Sequence, residues 1–259
     1  MKISVITVVY NNVETIGDAI ESVLAQDYPD VERIVIDGGS TDGTLELIQK
    51  YSDRLSIVVS EPDGGIYDAL NKGIRLATGD VVGFLHSDDV FADKSVLSRI
   101  AAGFREPGVD AVYGDLVYVK KSAPDQIVRY WKAGEFRSGR LRWGWMPPHP
   151  TFYVKRAIYT KMGAFDTNFR IAADYECMLR LLGRAKIRSS YVPSILVKMR
   201  LGGASNRSLK NLIRKSVEDY KALRLHDIGG MGALAWKNLS KLRQFPMRNH
   251  AESATPVTE

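Results

Sequence analysis

The 259-residue sequence holds a single cysteine, Cys177. No disulfide can close within the chain, which sets aside a small cross-linked scaffold and fits a reducing compartment. Nor is there an apolar run near the roughly 20 residues of a membrane-spanning helix. There is no internal repeat. The opening stretch from Met1 to Tyr10 is apolar after one lysine, but Asn11 and Asn12 end it and no small-residue cleavage site follows. It reads as a buried strand and not as a signal peptide. What remains, with 45% hydrophobic and 25% charged residues, is the composition of an ordinary globular protein with a sizeable core.

The formal net charge is +6, and a basic balance raises the question of a polyanionic partner. The charge is unevenly placed. Residues 1–206 carry 26 basic and 25 acidic side chains, whereas residues 207–250 carry 10 and 3. A nearly neutral body argues against a nucleic-acid-binding domain.

The first 90 residues alternate. Ile3 to Tyr10 is a β-branched run, and Ile16, Ala19, Ile20, Val23 and Leu24 then recur at helical spacing. Strands are expected at Ile34–Ile36, Leu55–Val59 and Val81–Leu85, with helices around Leu45–Tyr51 and Tyr67–Ala77. This β-α-β-α-β-α-β order predicts a parallel sheet with helices on both faces. Ligands in such sheets bind beyond the carboxyl ends of the strands. Those ends carry Asn11, Asp37, the turn Glu61-Pro62-Asp63 and the pair Asp88-Asp89. Gathered carboxylates repel unless a cation or a ligand compensates, and hard oxygen donors suit Mg²⁺ or Mn²⁺. Further on, Ala111–Val119 and Thr151–Val154 read as strands. Residues 132–150 read as an irregular functional loop, Ala173–Leu182 as a helix, and Leu209–Leu225 as a basic amphipathic helix.

The loop Gly38-Gly39-Ser40-Thr41-Asp42-Gly43 fits neither standard phosphate template. Thr44 stands where a P-loop needs lysine, and Ser40 where a dinucleotide fingerprint needs glycine. A turn capped by Thr41 or Asp42 would explain its composition alone.

Five ordered blocks together are more specific. They are Ile3–Asn11, Ser22-Val-Leu-Ala-Gln-Asp-Tyr28, Val35–Thr44, Asn71-Lys-Gly73, and Ala77-Thr-Gly-Asp80 with Asp88-Asp89. Over residues 1–200 the chain resembles the family 2 glycosyltransferases. That resemblance implies a GT-A type α/β fold, a Rossmann-like, mostly parallel sheet with a C-terminal helical segment. With the resemblance over the first 200 residues, the charge and helical spacing that follow, and the polar composition of the end, the chain divides into a glycosyltransferase domain over residues 1–206, a basic amphipathic helical extension over 207–246 and a disordered tail over 247–259. The resemblance also implies inverting transfer from a nucleotide-sugar, a UDP-sugar first, with Mn²⁺ or Mg²⁺. The acceptor would be a saccharide or a lipid-linked sugar in cell-surface polysaccharide or glycolipid assembly. The enzyme would be cytoplasmic, with residues 207–246 available to lie on an anionic leaflet. A nucleotidyltransferase on a similar sheet is the alternative, but its basic glycine-rich loop is missing at Asn11–Glu14.

By the same resemblance, Asp37 contacts the base, and Gly38 stands where many relatives carry a second Asp. Val8 and Tyr10 line the base and ribose pocket, although Tyr10 fits a core position equally well. Ser40, Asp63, Asp68, Asn71 and Lys72 fall in the donor region, with Lys72, Arg140 or Arg142 free to steady the diphosphate. Asp88 contacts the ribose and Asp89 ligates the metal, with His86 in place of the usual acidic or amide residue. Asp174, in Ala173-Asp174-Tyr175-Glu176, matches the family's general base, needed because a hydroxyl is a weak nucleophile until deprotonated. Glu176 points away from it. His149, between prolines, lines a pocket, reaches the metal or simply closes a turn. Trp131, Trp143 and Trp145 offer faces for a sugar or for the core.

Overall fold

The computed structural model describes residues 1–202 and 209–242. β1 (Ile3–Val9) is buried along its whole length, as a strand covered on both faces must be. α1 (Ile16–Leu24) turns Ile16, Ala19, Ile20 and Val23 inward. β2 (Val31–Asp37), α2 (Thr44–Gln49), β3 (Ile57–Ser60), α3 (Ile66–Leu76) and β4 (Val81–Phe84) complete the alternation. The strands lie in the order β3-β2-β1-β4, all parallel. Their carboxyl ends therefore share one edge, where the acidic loops fall. α3 approaches β1 closely at Gly73, where a Cβ would stand 2.4 Å from Ile6 Cγ2.

The second half extends the same sheet. Its elements are β5 (Asp89–Phe91), α4 (Val96–Gly103), β6 (Ala111–Lys120), β7 (Ala123–Trp131), β8 (Tyr153–Lys155), α5 (Arg156–Met162), α6 (Ala173–Met178) and β9 (Ser189–Arg200). α6 runs on as a π-helical turn over Leu179–Arg184. From β4 the order continues β8-β6-β9-β5, with β7 on β6. Only β6 and β9 pair in parallel there; the other contacts are antiparallel.

Three of these strands are absent from the sequence expectation. β5 has three residues and opens on Asp89, which reads as a loop or cap residue. β7 is only half-buried and opens on Ala123-Pro124. β9 contains Pro193, at a break where Gly114 pairs Val192 but Asp115 pairs Ile195. A bulge is where a strand tolerates proline. The loop 132–150 is irregular as expected, yet fastened. Asp115, 1% exposed, accepts from the Ala133 N–H at 2.8 Å, the Tyr191 hydroxyl at 2.8 Å and the Tyr130 hydroxyl. Trp131 and Trp145 pack on the core, and Trp143 stays 59% exposed.

α7 (Leu209–Leu225) and α8 (Met231–Leu242) follow. Ala222 and Leu223 are fully buried, in the same cluster as Ile6 of β1 and Phe84 of β4. The extension therefore shares the core of the body. The tail expected over 247–259 lies outside the described residues.

Candidate active site

The carboxyl edge is laced by short polar side chains. Asn11, in the left-handed conformation that Asn tolerates (φ 47°), donates its N–H to Ser40 Oγ at 2.8 Å and accepts from the Thr41 N–H at 2.8 Å. The Asn12 amide donates to Ser87 Oγ at 3.0 Å, and the Thr15 hydroxyl to the Ser87 carbonyl at 2.8 Å. β1, β2 and β4 thus end in one rigid rim. The N-cap of α2 is neither Thr41 nor Asp42 but Gly43, in the left-handed conformation (φ 92°); Asp42, one residue earlier, accepts from the Thr44 N–H at 3.0 Å.

Asp37 lies at the rim but is fully buried. Its carboxylate accepts from the Ser40 hydroxyl at 2.5 Å, the Ser40 N–H at 3.1 Å and the Ser60 hydroxyl at 2.6 Å. It organises the loop, and a base contact would have to share these oxygens. The more available carboxylate is Asp63. A Cβ on Gly38 would lie 2.6 Å from Asp63 Oδ2 and 3.4 Å from the Tyr10 ring. The missing side chain at 38 leaves the space that both Asp63 and Tyr10 border. Tyr10 is 65% exposed, which decides against a core role, whereas Val8 is core at 5%.

Other donor-region residues are engaged in holding loops. Asp68 accepts from the Gly64 N–H at 3.0 Å. Lys72 reaches the Pro62 carbonyl at 3.1 Å and Glu61 at 2.9 Å. Asn71 brackets the backbone of Phe165, donating to its carbonyl at 2.8 Å and accepting from its N–H at 2.9 Å.

Asp88 and Asp89 part company. Asp89 is fully buried on β5, with both carboxylate oxygens unpartnered, and burial pushes its carboxyl well above the ordinary range. Asp89 is thus sealed inside the fold, while its neighbour Asp88 is the half-buried member of the pair. No three His, Cys, Asp or Glu side chains among the described residues converge to hold an ion by themselves. A single carboxylate is still compatible with Mg²⁺, which commonly binds one or two carboxylates plus substrate phosphates.

Asp174, half-buried at the start of α6, comes to the same region from the other half of the chain. The Tyr67 hydroxyl of α3 lies 2.8 Å from the Ile171 carbonyl and 3.2 Å from Asp174 Oδ1. Burial raises Tyr67 well above its ordinary range, with the Asp174 charge adding to it, so it remains a donor. His149 and His86 also feel the Asp174 charge. Burial nevertheless lowers both, His149 to about 4, so His149 is neutral at pH 7. The His149 ring stacks on Phe84 at 5.4 Å and lies 5.6 Å from His86. His149 Nε2 and His86 Nδ1 are buried without a partner. Glu176 does point away, into a buried contact with Arg180 at 3.0 Å and His226 at 2.8 Å.

Tyr67 and Glu218 escaped the sequence reading. Tyr67 sits in a helix-spaced pattern that marks it as core. Glu218 lies 44 positions beyond Asp174 in a run read for its basic charge.

The parallel strand order β3-β2-β1-β4 within a larger mixed sheet, with acidic loops at its carboxyl edge, is the architecture of the GT-A fold. The model of glycosyl transferase family 2 matches residues 4–171, and the chain belongs to that family. It is 29% identical over 209 residues to a PGL/p-HBAD biosynthesis glycosyltransferase of Mycobacterium bovis, covering 78% of each chain. Among solved structures it is similar to S. aureus TarS, with a TM-score of 0.64 and 23% identity. That match covers 88% of this chain and 39% of that one. TarS residues 1–349 have been solved with UDP and with UDP-GlcNAc. It is also similar to a mannosyltransferase of Pyrobaculum calidifontis in complex with GDP-Man and Mn²⁺, with a TM-score of 0.63 and 20% identity. There the match covers 95% of this chain and 72% of that one. The chain is thus a sugar-transferring enzyme, and family membership sets the nucleotidyltransferase alternative aside.

Proposed function

We propose that the enzyme moves a sugar from a nucleotide-sugar to an acceptor hydroxyl by one inverting displacement, with Asp174 as general base. The observation that carries this is the meeting of Asp174 with Tyr67, His86 and His149, beside Asp88, at the carboxyl edge of the sheet. The nucleobase of the donor packs against Tyr10, with Asp63 accepting a ring N–H. Asp174 takes the acceptor proton as the oxygen attacks the anomeric carbon. Tyr67 and the neutral His149 fix its surroundings, so that catalysis is positioning plus one proton transfer. Asp88 would hold a divalent ion, Mn²⁺ or Mg²⁺, which when bound neutralises the diphosphate leaving group.

The similar structures hold both UDP- and GDP-linked ligands, so the test is a thermal-shift screen of UDP and GDP with each metal. Selective stabilisation by one nucleotide supports the reading and names the donor class; no response to either contradicts it.

We further propose a saccharide or lipid-linked acceptor in cell-surface polysaccharide or glycolipid assembly, reached from the inner face of the membrane. The relative named for PGL/p-HBAD biosynthesis supports this. No helix among the described residues is long and apolar enough to cross a membrane. α7 nevertheless exposes Ile213 and Val217, at 60% and 61%, beside exposed Arg214, Lys221 and Arg224. That face suits an anionic leaflet.

A further inference from the structure

We infer that Glu218, on the C-terminal extension, is a positioning residue for Asp174, so that the active site is completed by α7. The inference rests on the reading of Asp174 as the base.

The start of α6 needs outside support. Ala172 at its N-cap position provides no side-chain hydrogen bond, and an alanine cannot satisfy the free N–H groups that every helix start exposes. The polar contacts come from two other helices. Glu218 of α7 brings one carboxylate oxygen, Oε2, to the Ile171 N–H at 2.8 Å and the Ala172 N–H at 3.0 Å. Tyr67 of α3 meets the same segment from its other side, at the Ile171 carbonyl. Residue 171 is therefore held through both its N–H and its carbonyl, three residues before Asp174. Upstream, Asn71 fixes Phe165 in the same double manner.

The anchor is itself firmly seated. Ala222 and Leu223, one helical turn beyond Glu218, are fully buried, and His226 closes on Glu176 from the next turn. α7 thus contacts α6 at its start and along its buried face. A carboxylate at a helix N-terminus is also favoured by the helix dipole. Bonds from charged groups to backbone N–H are among the stronger ones. A base misplaced by about 1 Å can cost on the order of 100-fold in rate.

The geometry makes a distinctive demand on variants. Both bonds go to one oxygen, so Glu218→Gln keeps an acceptor of the same length. Glu218→Ala removes it, and Glu218→Asp keeps the charge but withdraws the oxygen. The experiment compares the three in the full chain, using UDP-GlcNAc or GDP-Man, whichever the nucleotide screen selects, with kcat expressed per nucleotide-binding site titrated with UDP or GDP. Amide exchange over residues 165–178 is followed in parallel. Expected are a kcat loss of about tenfold or more in the Ala and Asp variants, donor KM within twofold, faster exchange at 171–172, and recovery of both in the Gln variant. Unchanged kcat in the Asp variant, or a Gln variant as impaired as Asp, overturns the inference even if the Ala variant does not fold. Asp174→Asn separates the two claims: if that variant stays active, the base assignment fails first, whereas an inactive one beside a fully active Glu218→Asp removes only the role of Glu218.

Discussion

At the scale of single residues, Gly38 carries the most specific consequence. Its lack of a side chain leaves room between Asp63 and Tyr10, and a Cβ would come to 2.6 Å from Asp63 Oδ2. Gly38→Ala should push that carboxylate aside and weaken nucleotide binding about tenfold, read by calorimetry, with little change in Tm. Glu32 makes a different prediction. Burial pushes its carboxyl up, but Lys2, Ser4 and Thr78 donate to it and bring it down to about 2 from 4.5. A lowered carboxylate contributes stability that is fully present above about pH 4.5 and fades as pH falls toward 2, on the order of 3 kcal/mol. Glu32→Gln should lower stability at pH 7 and flatten the loss between pH 4.5 and 2 in denaturation curves. At this scale the sequence was legible by position but not by partner. Asp37 ends β2 and Asp68, Asn71 and Lys72 stand on the expected helix α3, yet their bonds go to nearby backbone, hydroxyl and carboxylate groups that sequence spacing does not reveal. The Asp88-Asp89 pair reads as one motif. Only burial separates the half-exposed acid from the sealed one.

At the scale of elements, the first half was readable because β1, β2 and β4 are almost wholly buried apolar runs, the edge strand β3 alternates, and the helices carry an apolar stripe. β5 and β9 were not, because their register is set by pairing with each other and with β6, over sequence separations that local pattern cannot span. The helix at Leu209–Leu225 was read correctly, but its inward face was not, since buried Asp219 and His226 lie among its apolar positions. Leu223 tests how firmly this helix belongs to the body. Leu223→Ala should cost about 2–5 kcal/mol in chemical denaturation, as for a fully buried leucine. A loss below about 1 kcal/mol would mean that α7 is only loosely docked.

For the whole molecule, the uneven charge acquires a place. The body is close to neutral, and its carboxylates gather where a metal and a diphosphate would sit. The excess of basic residues lies on and beyond the helix that also braces Asp174, so a membrane contact there would bring the acceptor surface beside the active site. Removing residues 207–259 would not isolate that contact, because Ala222 and Leu223 would leave the core with it. Reversing Arg214 and Arg224 to Glu avoids the problem, with Lys221 left in place because its ammonium lies 5.1 Å from the ring centroid of buried Phe169. Each near-surface charge contributes about 1 kcal/mol on an anionic leaflet, so flotation with phosphatidylserine vesicles should be lost at unchanged Tm. Flotation equal to the parent's would remove the membrane reading and leave the chemistry untouched. That chemistry is tested most directly by Asp174→Asn, measuring transfer and donor binding on the same preparation. The account predicts a fall in kcat of at least about 100-fold with donor affinity within twofold of the parent; transfer at the parental rate would contradict it.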